Sequence, residues 1–244
     1  GKYDMSKLCA DLAKEFPFAN SLNSMARQAA AERAWQSVAR FYANCKKKVL
    51  GKKGYPKFKK NVRSVEYKTS GWKLSEDRKR ITFTDGCGIG CVKLIGSREL
   101  HFFSVAKIKR VRLVKRADGY YCQFSIDTNR QISHEFQGKI SGIDLNLENF
   151  LTDSHGEVVE NPRYLRKAEK QLKKKQRQVS KKQKGSKNRK KAVKKLGRKH
   201  LKIQRQRKDF AVKLARALVQ SNDLIVFEDL KVKNMVKNHC LAKS

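Results

Sequence analysis

The chain of 244 residues holds 59 lysines and arginines against 22 acids, a formal net charge of +37 with a pI near 10.2. That charge exceeds what solubility asks and works against compactness, so it points to a polyanionic partner, nucleic acid above all. No run of about 20 apolar residues and no leader with an apolar core occurs, which sets a membrane partner aside.

With 39% hydrophobic residues there is material for one large domain or two modest ones. Cys9, Cys45, Cys87, Cys91, Cys122 and Cys240 lack secretory context, so reduced thiols in a cytoplasmic setting are expected. Cys87 and Cys91 form a lone C-x3-C without a second ligand pair. A small residue packed beside Gly86 and Gly88 is the preferred reading of Cys87 over a zinc site.

Residues 5–48 read as helical. Ala26, Ala30, Ala34, Val38, Phe41 and Cys45 recur at three- and four-residue steps, Asn20 or Ser21 can cap the run, and Lys46–Lys48 suit its carboxyl end. The segment 51–60 follows, in which Tyr55 and Phe58 alternate with Lys57, Lys59 and Lys60. This composition can stack a base while gripping its phosphate, or it can be a charged loop with two buried rings. Short strands are predicted at 64–69, 80–84, 91–95, 108–115 and 120–126, with Asp118-Gly119 as a hairpin turn. Strict alternation puts Ile108, Arg110, Arg112 and Val114 on one face, so Arg110 and Arg112 are candidates to meet a ligand. The block reads as a small antiparallel barrel or curled sheet, and such barrels are often used for oligonucleotides.

Strands at 140–145, 149–152 and 157–159 suggest a meander closed by Asn161-Pro162. Two helices, about 163–183 and 187–220, are broken at Lys184-Gly185-Ser186. Leu165, Ala168, Leu172 and Val179, then Val193, Leu196, His200, Ile203, Phe210, Leu214 and Ala217, predict an antiparallel coiled-coil hairpin with a thin seam. His200 is expected to pack in that seam. From 163 to 208 there are 23 lysines and arginines and one acid, Glu169. Opposite charges at i+4 are largely missing, so the hairpin reads as a nucleic-acid arm rather than an ordinary solvated face. Its candidate contacts are Lys173, Lys174, Lys181, Lys182, Lys187, Arg189, Lys190, Lys191, Lys194 and Lys195.

Two apolar strands flank this arm and each runs into a carboxylate, Ile140–Asp144 before it and Leu224–Glu228 after it. Acids at the carboxyl ends of neighbouring strands sit where open α/β sheets place ligands and can hold a divalent metal against a phosphodiester. Each acid alone can equally cap a strand end. Asp229 points to the opposite side of the strand from Glu228, and Glu148 and Asp153 have no independent claim as further ligands.

Several segments, in order, resemble the TnpB family, the OrfB-type transposases of small insertion sequences related to type V CRISPR effectors. They are Gly54–Lys59, Gly142–Leu145, Asn161–Lys167, Lys184–Lys191, Arg207–Phe210 and Phe227–Met235. The resemblance implies an α+β multidomain protein. Its parts are a helical recognition segment (1–50), a wedge-like β-barrel (51–137) and an incomplete RNase H-like (RuvC) domain (138–244) carrying the helical hairpin 163–220. It also implies an RNA-guided, divalent-metal-dependent DNA endonuclease of a transposon, bacterial or archaeal and nucleoid-associated. Asp144 and Glu228 match the first two RuvC acids and would hold Mg²⁺ or Mn²⁺. A guide RNA from the transposon end and a double-stranded DNA target are the expected partners. The family's C-x2-C zinc ribbon and third RuvC aspartate are not matched, and Asn146-Leu147-Glu148 and Ala211-Val212 depart from its pattern. The chain is therefore expected to be a fragment, a decayed transposon copy or a naturally shortened product that lacks the third RuvC acid and does not cut on its own. A guide-RNA- and DNA-binding protein without catalysis is the alternative, and a general basic nucleic-acid chaperone the weaker third.

Overall fold

The computed structural model describes residues 2–47, 54–59, 61–96, 100–129 and 135–238. It forms two compact units, Gly1–Arg130 and Gln131–Ser244.

In the first unit, α1 (Lys2–Glu15) and α2 (Ser24–Lys46) flank a 3-10 turn at Pro17–Ser21. The cap of α2 is Asn23, not Asn20 or Ser21, which the turn absorbs; the Asn23 side chain accepts from the Met25 amide at 2.8 Å. Asp85 steers the choice, because its Oδ1 accepts from the Asn23 amide at 2.7 Å while its Oδ2 accepts from the Tyr67 hydroxyl. Six strands follow: β1 (Ser64–Tyr67), β2 (Trp72–Leu74), β3 (Arg80–Phe83), β4 (Cys91–Lys93), β5 (Ile108–Lys115) and β6 (Tyr120–Ile126).

These strands make two open antiparallel sheets, ordered β1-β5-β6 and β2-β3-β4, in place of the closed barrel expected from the sequence. Both sheets contribute to one core of Tyr67, Trp72, Ile81, Phe83, Ile108 and Val111, with Ala26 of α2. β2 is the strand that the sequence pattern missed. At three residues, and with a lysine at its centre, it offers almost no periodicity to read. In β5 a register shift between Ile108 and Arg110 puts Ile108 and Val111, three apart, in the same core. Strict alternation therefore fails at the start of that strand.

The second unit opens with β7 (Ile140–Asp144), β8 (Asn149–Asp153) and β9 (Val158–Glu160), followed by α3 (Tyr164–Ser180) and α4 (Lys187–Ser221). Then come β10 (Leu224–Phe227) and the short α5 (Val232–Met235). The sheet order is β10-β7-β8-β9, with β10 parallel to β7 and the other pairs antiparallel. The long α3–α4 excursion makes that parallel pairing possible, since parallel neighbours need a crossover. Among the described residues no helix is long and apolar enough to cross a membrane.

Candidate acid pair and nucleic-acid interface

The parallel register of β7 and β10 matches Leu224 to Ile140 and Phe227 to Ile143. The next residue on each strand is Asp144 or Glu228, so the two acids occupy neighbouring positions at the carboxyl ends of adjacent strands. Both are exposed. Asp223 sets this register from the other end of the strands. Its Oδ2 accepts from the amides of Gln137 (2.9 Å) and Lys139 (2.8 Å), and its own amide donates to the Lys139 carbonyl at 2.9 Å. The sequence reading passed over Asp223, although an acid just ahead of an apolar strand is a common start signal. On the far side of β7 the Ser154 amide donates to the Gly142 carbonyl (2.8 Å) and the Gly142 amide to Ser154 Oγ (3.1 Å). Asp144 is thus carried on a strand tied along both edges.

The other acids near the pair have local duties. Asp153 Oδ1 accepts from the amides of His155 (2.9 Å) and Glu157 (2.8 Å), which folds the β8–β9 turn. Glu148 is exposed, and its carbonyl accepts from the Arg163 guanidinium at 3.3 Å. Among the described residues no three His, Cys, Asp or Glu side chains gather into a metal-holding group. Asp144 and Glu228 carry the hard oxygen donors that Mg²⁺ prefers, and such an ion would need water or substrate oxygens to complete its shell.

The arm is rooted beside this sheet by aromatic rings. Phe210 of α4 meets Phe150 of β8 edge-to-face at 4.9 Å and Tyr164 of α3 at 6.3 Å. The hairpin buries Ala168, Leu172 and Val179 of α3 and Leu201 and Ile203 of α4, while Leu165 and Val193 stay nearly half exposed. His200, expected in the seam, is exposed; its neighbour Leu201 is buried instead, as an aliphatic side chain gains more from leaving water than an imidazole. Gly185, at φ +86°, turns the chain between the helices, and Ser186 caps α4 by accepting from the Arg189 amide at 3.1 Å.

Lys174, Lys181, Lys182, Lys187, Lys190, Lys191, Lys194 and Lys195 are exposed along this hairpin, and Arg189 is half-buried. Lys173 pairs with Glu169 at 2.7 Å. The stems of Lys170, Lys173, Lys174, Arg177 and Lys181, with Gln171 and Gln178, line an open trough of about 650 Å³ along α3.

In the first unit, Lys57 and Lys59 are exposed, and Lys60 lies outside the described residues. Arg110 and Arg112 are held by acids. Arg110 reaches Glu66 Oε1 at 2.7 Å and Glu32 at 3.3 Å, and both Nε and a terminal nitrogen of Arg112 donate to Glu66 Oε2. Lys68 completes the group at 2.7 Å from Glu32. Burial pushes the Glu66 carboxyl up, yet the two guanidiniums outweigh it and hold its pKa below the ordinary 4.5. The sequence signal for this network was Glu66, the one acid within the strand spans β1–β6. The Cys87 thiol donates to the Ser21 carbonyl at 3.1 Å, and a Cβ on Gly86 would lie 3.5 Å from Ser21, so this turn packs on the helical segment. Burial pushes the Cys122 thiol up to about 12.

The class defined by these elements is a mixed α+β protein with an acid pair at a sheet mouth and a strongly basic helical arm beside it. Residues 123–239, just under half of the chain, match the OrfB_IS605 family, described as "Probable transposase". The chain is 46% identical over 103 residues to a "Putative RNA-guided DNA endonuclease" of Streptomyces pristinaespiralis, covering 42% of this chain and 26% of that one. It is 29% identical over 210 residues to "Putative RNA-guided DNA endonuclease InsQ" of Escherichia coli K12, covering 85% of this chain and 49% of the relative. The chain thus spans about half the length, or less, of these curated relatives.

Proposed function

We propose that the chain is a transposon-encoded, RNA-guided DNA endonuclease of the TnpB type, dependent on a divalent metal held by Asp144 and Glu228. The observation that supports this reading is the β7–β10 register, in which Asp144 and Glu228 follow directly after paired positions at one end of a parallel strand pair. The relatives' names support the guide RNA and the DNA target as partners. An RNase H-like (RuvC) arrangement of the second unit, a recognition segment at 1–50, a wedge-like part at 51–137 and a cytoplasmic, nucleoid-associated location belong to the same proposal.

Within it, Mg²⁺ or Mn²⁺ bound at the pair supplies polarisation of the phosphodiester and activation of a water. The remaining tasks fall to the chain itself. Asp223 ties the start of β10 to the start of β7, and Ser154 holds the opposite edge of β7. The exposed lysines of α3 and α4 neutralise phosphates on either side of the scissile position, an interaction that weakens steeply with salt.

The test is Mg²⁺-dependent cleavage of a target plasmid by the purified chain with its co-purified RNA, run beside Asp144→Ala and Glu228→Ala. Cleavage that both substitutions abolish, with RNA still retained, would establish the acid pair as the cutting site. Cleavage that survives either one removes the acid pair from the mechanism. RNA retention with no cleavage by any form would leave a guide-RNA- and DNA-binding protein without catalysis.

A further inference from the structure

Between Glu32 and Glu66 the chain has eleven lysines and arginines and no acid. Aromatic rings come to the surface in the same stretch. Phe41, half-buried on α2, is met edge-to-face by Tyr42 at 5.4 Å and by Tyr55 at 5.2 Å. Tyr42 is 60% exposed, Tyr55 59% and Phe58 91%, so the rings that the loop reading would bury stay in water. Phe41 thus touches both tyrosines while each keeps more than half of its surface in water. Exposed ring clusters of this kind are uncommon on a solvated surface without a partner.

The cations beside the rings are arranged for a phosphate. Lys46 lies one helical turn from Tyr42 on the same face of α2, and Lys47 follows it, both exposed. Lys57 and Lys59 alternate with Tyr55 and Phe58, and Pro56 restricts the backbone between the first ring and the first cation. An apolar protein partner would have to bury these ammonium groups, and an acidic one would leave the ring faces idle. A base with its own phosphate uses both.

We propose that Tyr42, Tyr55 and Phe58 form a stacking platform for an unpaired base of a nucleic-acid strand, whose phosphates are held by Lys46, Lys57 and Lys59. The inference rests on the nucleic-acid part of the function proposed above and is independent of cleavage. Stacking is tolerant of base identity, so the platform would grip unpaired nucleotides without reading their sequence.

The test uses the full chain and fluorescence anisotropy with three probes: a 12-nucleotide oligothymidylate, an abasic strand with the same phosphates, and oligouridylate. The base-bearing strands should bind about 5- to 150-fold tighter than the abasic one, the range for a single stacked base. Tyr42→Leu/Tyr55→Leu should remove most of that preference while leaving the abasic affinity and its salt slope in place. Lys57→Gln/Lys59→Gln should weaken all strands alike, and Tyr55→Phe, which keeps the ring, should retain the preference. Thymidylate against uridylate tells whether DNA or RNA is the better occupant.

A 5-iodouracil strand crosslinked to the unaltered chain tests the same contact without any substitution, with Tyr42, Tyr55 or Phe58 as the expected sites. Equal binding of base-bearing and abasic strands, or crosslinks that avoid all three rings, overturns the platform and leaves the rest of the nucleic-acid reading standing. Failure to bind even the abasic strand would instead sink that reading itself.

Discussion

Glu66 is the residue whose replacement tests the packing logic of the first unit most directly. Its side chain is 3% exposed, and it receives both Arg110 and Arg112, which are themselves 38% and 47% exposed. Removing one member of a fully buried ion pair costs about 3–5 kcal/mol. Here only the acid is buried and the guanidiniums can rehydrate, so Glu66→Gln, which keeps shape and one acceptor, should cost about 2 kcal/mol. For a unit of this size that is a fall in melting temperature of about 5–10 °C. Both tryptophans, Trp35 and Trp72, lie in this unit, and Trp72 is in the core, so tryptophan fluorescence reports its melting separately from the hairpin.

The pH dependence supplies a second arm. Because the folded Glu66 titrates below its ordinary 4.5, its charge contributes stability above about pH 4.5. That contribution fades as pH falls through the folded value. The gap between Glu66→Gln and the parent should therefore close in acid. A variant that melts within about 2 °C of the parent at pH 7, or a gap that persists well below pH 4, would refute the reasoning.

Phe210→Ala should undock the root of the hairpin at a cost of about 2–4 kcal/mol, since it removes both ring contacts from a half-buried position; faster hydrogen exchange in α3, α4 and β8 together would register it. Asn23→Ala removes the cap of α2 and also the 2.8 Å bond from its amide nitrogen to Thr84, so a loss of about 1–2 kcal/mol is expected in the tryptophan melt. Replacing Lys173, Lys174, Lys181 and Lys182 with glutamine should flatten the log–log salt slope of duplex binding by about 0.9 for each phosphate no longer neutralised. Lys173, already paired with Glu169, should account for the least of that change.

How much was legible beforehand differs by element. β5 and β6 were read to the residue, because long strands with a two-residue Asp118-Gly119 turn carry their period and their boundary together. The start of α3 and both ends of α4 were legible to within a residue, whereas α3 stops at Ser180, three residues short of the expected 183. Closure of a barrel was not legible, because it depends on pairing between distant strands that no local pattern encodes. β2 and the bulge at Ile108/Arg110 failed for the opposite reason, being too short for a period to establish itself. For the candidate site, the two acids were readable as strand ends. The parallel register that makes them neighbours depends on Asp223, whose role appears only once the strands are paired. Arg110 and Arg112 looked free to meet a ligand because Glu32, which shares Arg110, is 78 residues away in sequence.

The hairpin carries the least balanced energetics in the molecule. Its seam packs Ala168, Leu172 and Ile203 with only Tyr164 and Leu196 beside them, while 23 cations between residues 163 and 208 face a single acid. The i,i+4 pairs Lys173–Glu169 and Lys213–Asp209 are exposed and offset only a few tenths of a kcal/mol each. What resists the repulsion is concentrated at the root, where Phe150, Tyr164 and Phe210 meet and Arg163 ties the first turn to Glu148. Toward Gly185 the seam thins and charge dominates. A polyanion laid along the arm lowers the repulsion only when both helices are formed and their lysines are aligned. Binding and completion of the hairpin are then one linked equilibrium, in which phosphate contacts stabilise the distal helices as they are made. The same charge that makes the arm costly to fold alone is what ties its order to the strand it holds.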